Sequence, residues 1–329
     1  MEGIKLLSIF ISNLKIGKMQ KSKQLKLISE AVDLKSITPD DVASVAASFF
    51  ALDKKTIDDN ISQAFFVIEN CFQKDIEIIT FFDNKYPFLL KEIYDPPLVL
   101  YVKGAVEKIS LPSISIVGTR SATGKALKAA FETAFYLSLN NITVVSGLAI
   151  GIDNEAHKGS ISAGGTTIAV MGCGLDRIYP VSNRKTALEI IESNGILVSE
   201  YQPEVHPLKF HFPERNRIIS GLSSAVLIIQ APKKSGALIT ADYALEQGRE
   251  VFVHEAGLSS PFGDGGMSLV NDGALLFSSP HEIGKYYAFD FSENYISNNP
   301  FYNAKNIEDE INGCAVNYKG VLYRRAKHV

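Results

Sequence analysis

The chain has 329 residues, 46% of them hydrophobic and 21% charged, with a formal net charge of −3. That size holds one large domain or two ordinary ones, and that balance excludes an intrinsically disordered chain. A net acidic chain also lacks the overall basic surplus that marks many nucleic-acid binders, so any polyanion has to be held by a local cluster of cations.

The N-terminus, MEGIKLLSIFISNLKIGKMQK, carries a short apolar run broken by Asn13 and Lys15 and has no small-residue cleavage site. It reads as a helix, not as a signal peptide. No apolar run approaches the ~20 residues that span a bilayer, so a cytoplasmic protein with no membrane contact is expected. Apolar positions recur at helical spacing within 6–14, 24–32, 40–52 and 63–72, which makes residues 1–80 a small all-helical domain. Thr38-Pro39-Asp40-Asp41 supplies a helix start with a cap, a first-turn proline and early acids; Thr56-Ile57-Asp58-Asp59 is a weaker version. Residues 81–112 read as a connector punctuated by Tyr86-Pro87 and Asp95-Pro96-Pro97, with one short strand, VLYVKG, at 99–104.

From 113 to 278 the pattern changes. Seven short β-branched runs (ISIVG, ITVVSG, TTIAVMG, ILVSE, AVLIIQA, EVFVHEA and ALLF) are apolar on both faces, as buried parallel strands are. Helical segments separate most of them, one with a stripe of Leu127, Phe131, Ala134, Phe135 and Leu139. This alternation predicts an α/β fold: an extended Rossmann-like, doubly wound, mostly parallel sheet preceded by the helical domain. Residues 279–329 are poorly patterned, rich in Asn, Tyr and Lys, with Pro300 among them. Cys71, Cys173 and Cys314 are far apart and odd in number, so free thiols in a reducing compartment are expected, with no metal site.

Three strand ends run into glycine turns. The first holds Gly118, Thr119, Arg120 and Ser121; the second is centred on Gly147; the third contains Gly172 and Gly174. Glycine allows a tight strand-to-helix turn and close approach of a ligand, and a helix start offers free N–H groups and a positive dipole end. Arg120 adds a forked donor suited to phosphate, although a plain turn with a surface arginine explains that residue equally well. Neither GxGxxG nor GxxxxGKS occurs. In a parallel sheet the three turns share the carboxyl edge, where ligands bind. Arg215 and Arg217 flank Asn216 at a predicted helix start and are candidate phosphate contacts; an exposed arginine pair is also common on any surface. Lys233-Lys234-Ser235-Gly236 opens a further helix, with Ser235 and Thr240 as hydroxyl donors. Asp153 and His157, four apart, read as a helix-start acid with a nearby histidine and not as an acid–base pair.

With these residues in place the chain resembles the bacterial DNA-processing protein A family, also called Smf. The resemblance is carried by IVGTR at 116–120, VVSGLAIGID at 144–153, IAVMGCGLDRIYP at 168–180, ERNRIISGLS at 214–223, SGALITADYALEQGREVF at 235–252 and NDGA at 271–274, with YPFLLKEIYDPPLVLYVKG at 86–104 as the lead-in to the sheet. It implies a Rossmann-type domain that binds single-stranded DNA without hydrolysing it. It also implies a homodimer that loads the RecA recombinase during natural transformation, with no cofactor, and an N-terminal helical domain of the SAM or helix-hairpin-helix kind. By position, the family's basic pocket falls on Arg120 and on Arg215 beside Asn216, with Lys185 as a looser carry-over.

The departures concern charge. The family usually has arginine where Ile150 stands, a Pro-Gly turn after the strand that here reads VFVHEAG, and a basic loop where this chain has Asp264. Within 113–276 thirteen Lys/Arg face fifteen Asp/Glu, so DNA binding has to come from clustering at the strand ends. Two other readings stand beside it: a Rossmann-type enzyme that binds or cleaves a free nucleotide, and a partner-recruiting protein with a vestigial DNA site. No convergent carboxylate pair or nucleophile elbow favours the enzyme.

Overall fold

The structure, a computed structural model, describes residues 2–14, 28–30, 32–34, 36–259, 261–287, 315–318 and 321–324. Cys314, Pro300 and most of the helical pattern at 24–32 lie outside these residues.

Helices α1 (Glu2–Asn13), α2 (Val42–Phe49) and α3 (Lys54–Gln73) open the chain. The start signal before α2 works as its residues predict: the Asp41 carboxylate accepts from the Thr38 N–H at 2.9 Å and from its hydroxyl at 2.6 Å. The start of α3 differs from the sequence expectation. Asp53, not Thr56, caps it; Thr56 is the third helical residue and donates its N–H to Asp53 Oδ1 at 2.9 Å. An Asp three residues upstream outcompetes Thr because its carboxylate accepts from the N–H and the hydroxyl of Thr56 together.

Nine strands form one sheet: β1 (Glu77–Thr80), β2 (Val99–Gly104), β3 (Ser113–Val117), β4 (Thr143–Ser146), β5 (Thr167–Met171), β6 (Ile196–Ser199), β7 (Ala225–Ile228), β8 (Glu250–His254) and β9 (Leu275–Phe277). Their order is β1-β2-β6-β5-β4-β3-β7-β8-β9. The seven apolar runs are β3 to β9, all parallel. Between them lie α5 (Gly124–Leu139), α6 (Ile152–Ser162), α7 (Arg184–Glu192), α8 (His211–Leu222), α9 (Gly236–Glu246) and α10 (Asp264–Asn271); the short α4 (Phe88–Lys91) precedes β2. The chain winds from β3 through β4 and β5 to β6, then returns to place β7 on the other side of β3. The strand order therefore reverses between β3 and β7, and the carboxyl ends of these two strands open a crevice there.

Two stretches read as lying outside the sheet belong to it. β2 pairs antiparallel with β6, and β1 pairs antiparallel with β2. The expected connector at 81–112 and the last residues of the helical stretch thus extend the sheet by two strands. The N-terminal helices also share their core with it: Leu7, Phe10, Val42, Ile57 and Cys71 lie in one buried cluster with Met171 and Cys173 from the β5 end and Leu197 of β6. After β9 come α11 (Pro280–Tyr287) and a separate antiparallel pair, β10 (Ala315–Tyr318) with β11 (Val321–Arg324).

His157 is a core residue. Its Nδ1 lies 2.7 Å from Thr167 Oγ1, whose hydroxyl is already donated to the Val144 carbonyl, so Nδ1 carries the proton. Nε2 is buried without a hydrogen-bond partner among the described residues. Burial, with a smaller push from Arg215, lowers its pKa from 6.5 to about 3. The unfolded chain therefore takes up the proton first as the pH drops. The stability that the neutral ring contributes is complete above 6.5 and is lost as the pH falls from there toward 3. At pH 5 the loss is expected to be on the order of 2 kcal/mol, read as a lower urea midpoint than at pH 7.5; His157→Gln should flatten that dependence.

Candidate nucleic-acid interface

A cavity of about 580 Å³ occupies the crevice between the ends of β3 and β7. One wall is the turn after β3. Gly118 brings it close: a Cβ there would sit 2.5 Å from Ile152. The Thr119 N–H donates to the Gln230 carbonyl at 2.8 Å, and the Thr123 N–H to the Gln230 amide oxygen at 2.9 Å, so one buried glutamine after β7 fixes both ends of the turn. The opposite wall is the start of α9, where Ser235 caps the helix by accepting from the Ala237 N–H at 3.2 Å. Ser235, Gly236, Ala237 and Thr240 face the cavity, which places a helix N-terminus against whatever occupies it.

The floor is a buried polar set. Arg215, 5% exposed, donates through Nη1 to the carbonyls of Gly147, at 2.9 Å, and Val170, and through Nε to Asn216 Oδ1 at 3.3 Å. Asn216 in turn donates to the Gly236 carbonyl at 3.2 Å. Asp153 Oδ2 accepts from the N–H groups of Gly147 and Ala149 at 3.1 and 3.4 Å. Burial raises the Asp153 pKa while Arg215 pulls it down; burial lowers that of Arg215 to about 10. The guanidinium stays charged at neutral pH, and its bonds tie the ends of β4 and β5 to α8 and α9.

The rim carries the free cations. Arg120 is exposed, its guanidinium 6.0 Å from the Phe212 ring centroid. Lys209 is exposed beside it on the segment entering α8. Among the described residues neither has an acidic partner within ion-pair distance. Tyr179, 41% exposed, sets its ring 5.3 Å from that of Phe212. Behind these rings a recess of about 60 Å³ is lined by Arg120, Gly147, Ile150 and Arg215.

Of the residues expected at the site, Gly118, Thr119, Arg120, Arg215, Asn216, Ser235 and Thr240 line the main cavity. Gly147 lines the recess, where a Cβ would lie 2.7 Å from Arg215 Nη2. Gly172 backs the wall, packed on Phe212 and accepting through its carbonyl from His211 Nδ1 at 3.2 Å. Ser121, Gly174, Lys185 and Arg217 do not line it. Ser121 is exposed, bonding Thr119 Oγ1 through its N–H. Lys185, with its side chain 87% exposed, sits 3.7 Å from Glu189 on α7.

Arg217 corrects the sequence expectation of a phosphate contact. Two residues along a helix turn a side chain by about 200°, so Arg217 leaves the far side of α8 from Arg215. There it binds Glu200 at 2.8 Å and Asp95 at 3.6 Å, fastening the 81–112 segment to the sheet. Arg217→Met is expected to cost about 1.5–3 kcal/mol of stability, read by urea unfolding, and to leave the residues that line the cavity in place.

Sequence reasoning passed over Lys209, Phe212 and Tyr179. The signal for Lys209 and Phe212 is a cation interleaved with aromatics in KFHF, a pattern suited to a backbone track with stacking platforms; Tyr179 lies apart from it, in DRIYP. Among the described residues no group of His, Cys, Asp or Glu could hold a metal ion, and no helix is long and apolar enough to cross a membrane.

Residues 77–288 match the family model of DNA recombination-mediator protein A. The DNA processing protein DprA of Bacillus subtilis is 43% identical over 212 residues, 64% of this chain and 71% of that protein. Its Streptococcus pneumoniae counterpart is 40% identical over 201 residues, 61% of this chain and 71% of that one. Among solved structures, DNA processing protein A from S. pneumoniae matches with a TM-score of 0.71 at 31% identity, covering 89% of this chain and 99% of its own. The protein from Helicobacter pylori, solved for its single-stranded DNA binding mode, matches with a TM-score of 0.59 at 31% identity, covering 66% of this chain and 98% of its own.

Proposed function

The chain belongs to the DNA recombination-mediator protein A family, and from that membership and its cavity we propose that it binds single-stranded DNA in the cytoplasm without hydrolysing it. The observation that carries the reading is the rim: Arg120 and Lys209, without acidic partners among the described residues, stand beside the Phe212 and Tyr179 rings at the reversal point of the sheet. A phosphate is held by the guanidinium and the α9 N-terminus, and a neighbouring base stacks on an aromatic face. A splayed single strand offers both groups at once, whereas a duplex keeps its bases inside.

The same reading makes the chain a binder and not a hydrolase. Asp153 and Arg215, the titratable groups of the floor, are bonded to backbone amides and carbonyls, and neither is poised over the cavity as a base. The bound strand is passed to the RecA recombinase by a homodimer of this chain, as a mediator of recombination does. Light scattering at micromolar concentration tests the dimer, and RecA filament formation on a strand pre-coated with the protein tests the hand-over.

The volume of the cavity also suits a free nucleotide, so the decisive experiment sets the two against each other. Oligo-dT retention is measured by gel shift across a salt series with mononucleotide competitors. With about three phosphates neutralised, the logarithm of the affinity is expected to fall with a slope of about −2 against the logarithm of salt. Competition by a mononucleotide at concentrations near those of the oligomer, with no preference for length, would overturn the proposal in favour of a nucleotide-binding enzyme.

A further inference from the structure

The loop from β5 to the cavity rim is fastened at one carboxylate. Asp176 Oδ1 accepts from the Glu204 N–H at 2.8 Å, and Oδ2 from Lys74 Nζ at 3.3 Å. Lys74 is also 3.7 Å from Glu204 Oε1, to which Asn70 Nδ2 donates at 3.2 Å. Three segments meet here: the C-terminal end of α3, the loop after β5 and the turn after β6. The two loops touch again two residues upstream, where the Gly174 N–H donates to the Val205 carbonyl at 2.9 Å. A Cβ at Gly174 would sit 2.6 Å from the Gln202 carbonyl and 2.9 Å from Asp176 Oδ1. These same loops lead to the rim: Tyr179 follows Asp176 by three residues, Lys209 follows Glu204 by five, and the loop then enters α8, whose second residue is Phe212. The side chain of Asp176 is only 16% exposed. Burial pushes its pKa up, but the Glu204 N–H and Lys74 outweigh that and leave it below the usual carboxylate value, so the clasp is ionised at neutral pH.

Resting on the proposed function, we infer that Asp176 is a positioning residue of the DNA site. By locking the 172–180 loop to the 202–205 turn and to Lys74, it holds Tyr179, Lys209 and Phe212 in one arrangement and makes the N-terminal helices part of the DNA-binding unit. None of its atoms lines the cavity, so it acts through the rim residues alone.

The chain contains no tryptophan, so Tyr179→Trp places a single fluorophore on the rim of the full-length protein. In that background and in the parent, Asp176→Asn and Lys74→Met are compared for oligo-dT affinity, thermal midpoint and acrylamide quenching of the fluorophore. Asp176→Asn is expected to weaken oligo-dT binding roughly tenfold at a temperature far below its midpoint, and to raise quenching of the unliganded protein. Lys74→Met, on the surface of the clasp, should move both readouts the same way by less, and the double variant should add little to Asp176→Asn. A merely structural staple would lower the midpoint while leaving affinity and quenching of the folded protein at parental values. That outcome in both variants overturns the inference. If the parent itself fails to bind oligo-dT, the functional reading falls, while unchanged quenching would still refute the positioning role on its own.

Discussion

Arg215→Ala is expected to lose about 3–5 kcal/mol of folding stability, an effect on the fold before any effect on DNA. The guanidinium is buried, and its Nη1 serves the Gly147 and Val170 carbonyls while its Nε serves Asn216. Truncation leaves two strand-end carbonyls without their donor and opens a void under the cavity. It also strips Asp153 of the charge that offsets its burial. Lysine is no remedy, because a single ammonium cannot span three acceptors held in the plane of a fork. The pH dependence gives a second signature. Burial already raises the folded pKa of Asp153, and without Arg215 it rises further. A carboxyl whose folded pKa exceeds its unfolded one destabilises the protein as the pH climbs between the two values. The deficit of Arg215→Ala relative to the parent should therefore shrink as the pH is lowered from 7 toward 5. Urea unfolding at both pH values reads the result, and a variant within about 1 kcal/mol of the parent at pH 7 would refute the structural role.

The contrast between Arg215 and Arg217 shows where sequence stops informing. The pair reads as two equivalent cations at a helix start; the helix sends one into the core of the site and the other to Glu200 and Asp95. What decides is which side of α8 faces the sheet, and the residues on both sides are polar enough to hide it. The sheet itself was legible because β3 to β9 are apolar on both faces and separated by helical repeats, and their parallel pairing then puts every glycine turn on one edge. β1 was not, since EIIT is four residues long and follows directly on the apolar pattern of α3. The departures from the family also land differently from one another. Ile150, 48% exposed, lies on the rim of the recess beside Arg120 and Tyr179, where a cation would face a ligand. Asp264 begins α10, next to Gly265, where a Cβ would lie 2.8 Å from the Ala231 and Pro232 carbonyl oxygens, and does not line the cavity. The Pro-Gly turn missing after β8 keeps its glycine: a Cβ at Gly257 would fall 1.7 Å from the Ile229 carbonyl oxygen.

Arg120→Ala should do the reverse of Arg215→Ala: a ten- to hundredfold loss of oligo-dT affinity with unfolding free energy unchanged within about 0.5 kcal/mol. The side chain is exposed and, apart from its distant approach to the Phe212 ring, makes no ion pair among the described residues, so folding does not depend on it. Its forked donors stand over Phe212 and line the same cavity as the α9 N-terminus, so in the proposed complex a phosphate would neutralise one cation and leave the adjoining base over the ring. Losing one phosphate contact should also make the salt dependence shallower by about 0.7 in slope, a change that simple loss of protein cannot imitate. Ile150→Arg tests the same electrostatics with the opposite sign, because a cation added at the mouth of the recess should tighten binding and steepen the slope by a similar amount. Fluorescence anisotropy of labelled oligo-dT over a range of NaCl concentrations measures both. Parental affinity and slope in Arg120→Ala would mean that the strand runs elsewhere. A shallower slope in that variant and a steeper one in Ile150→Arg would place the bound phosphates between these two side chains, in a chain whose sheet region is acidic overall.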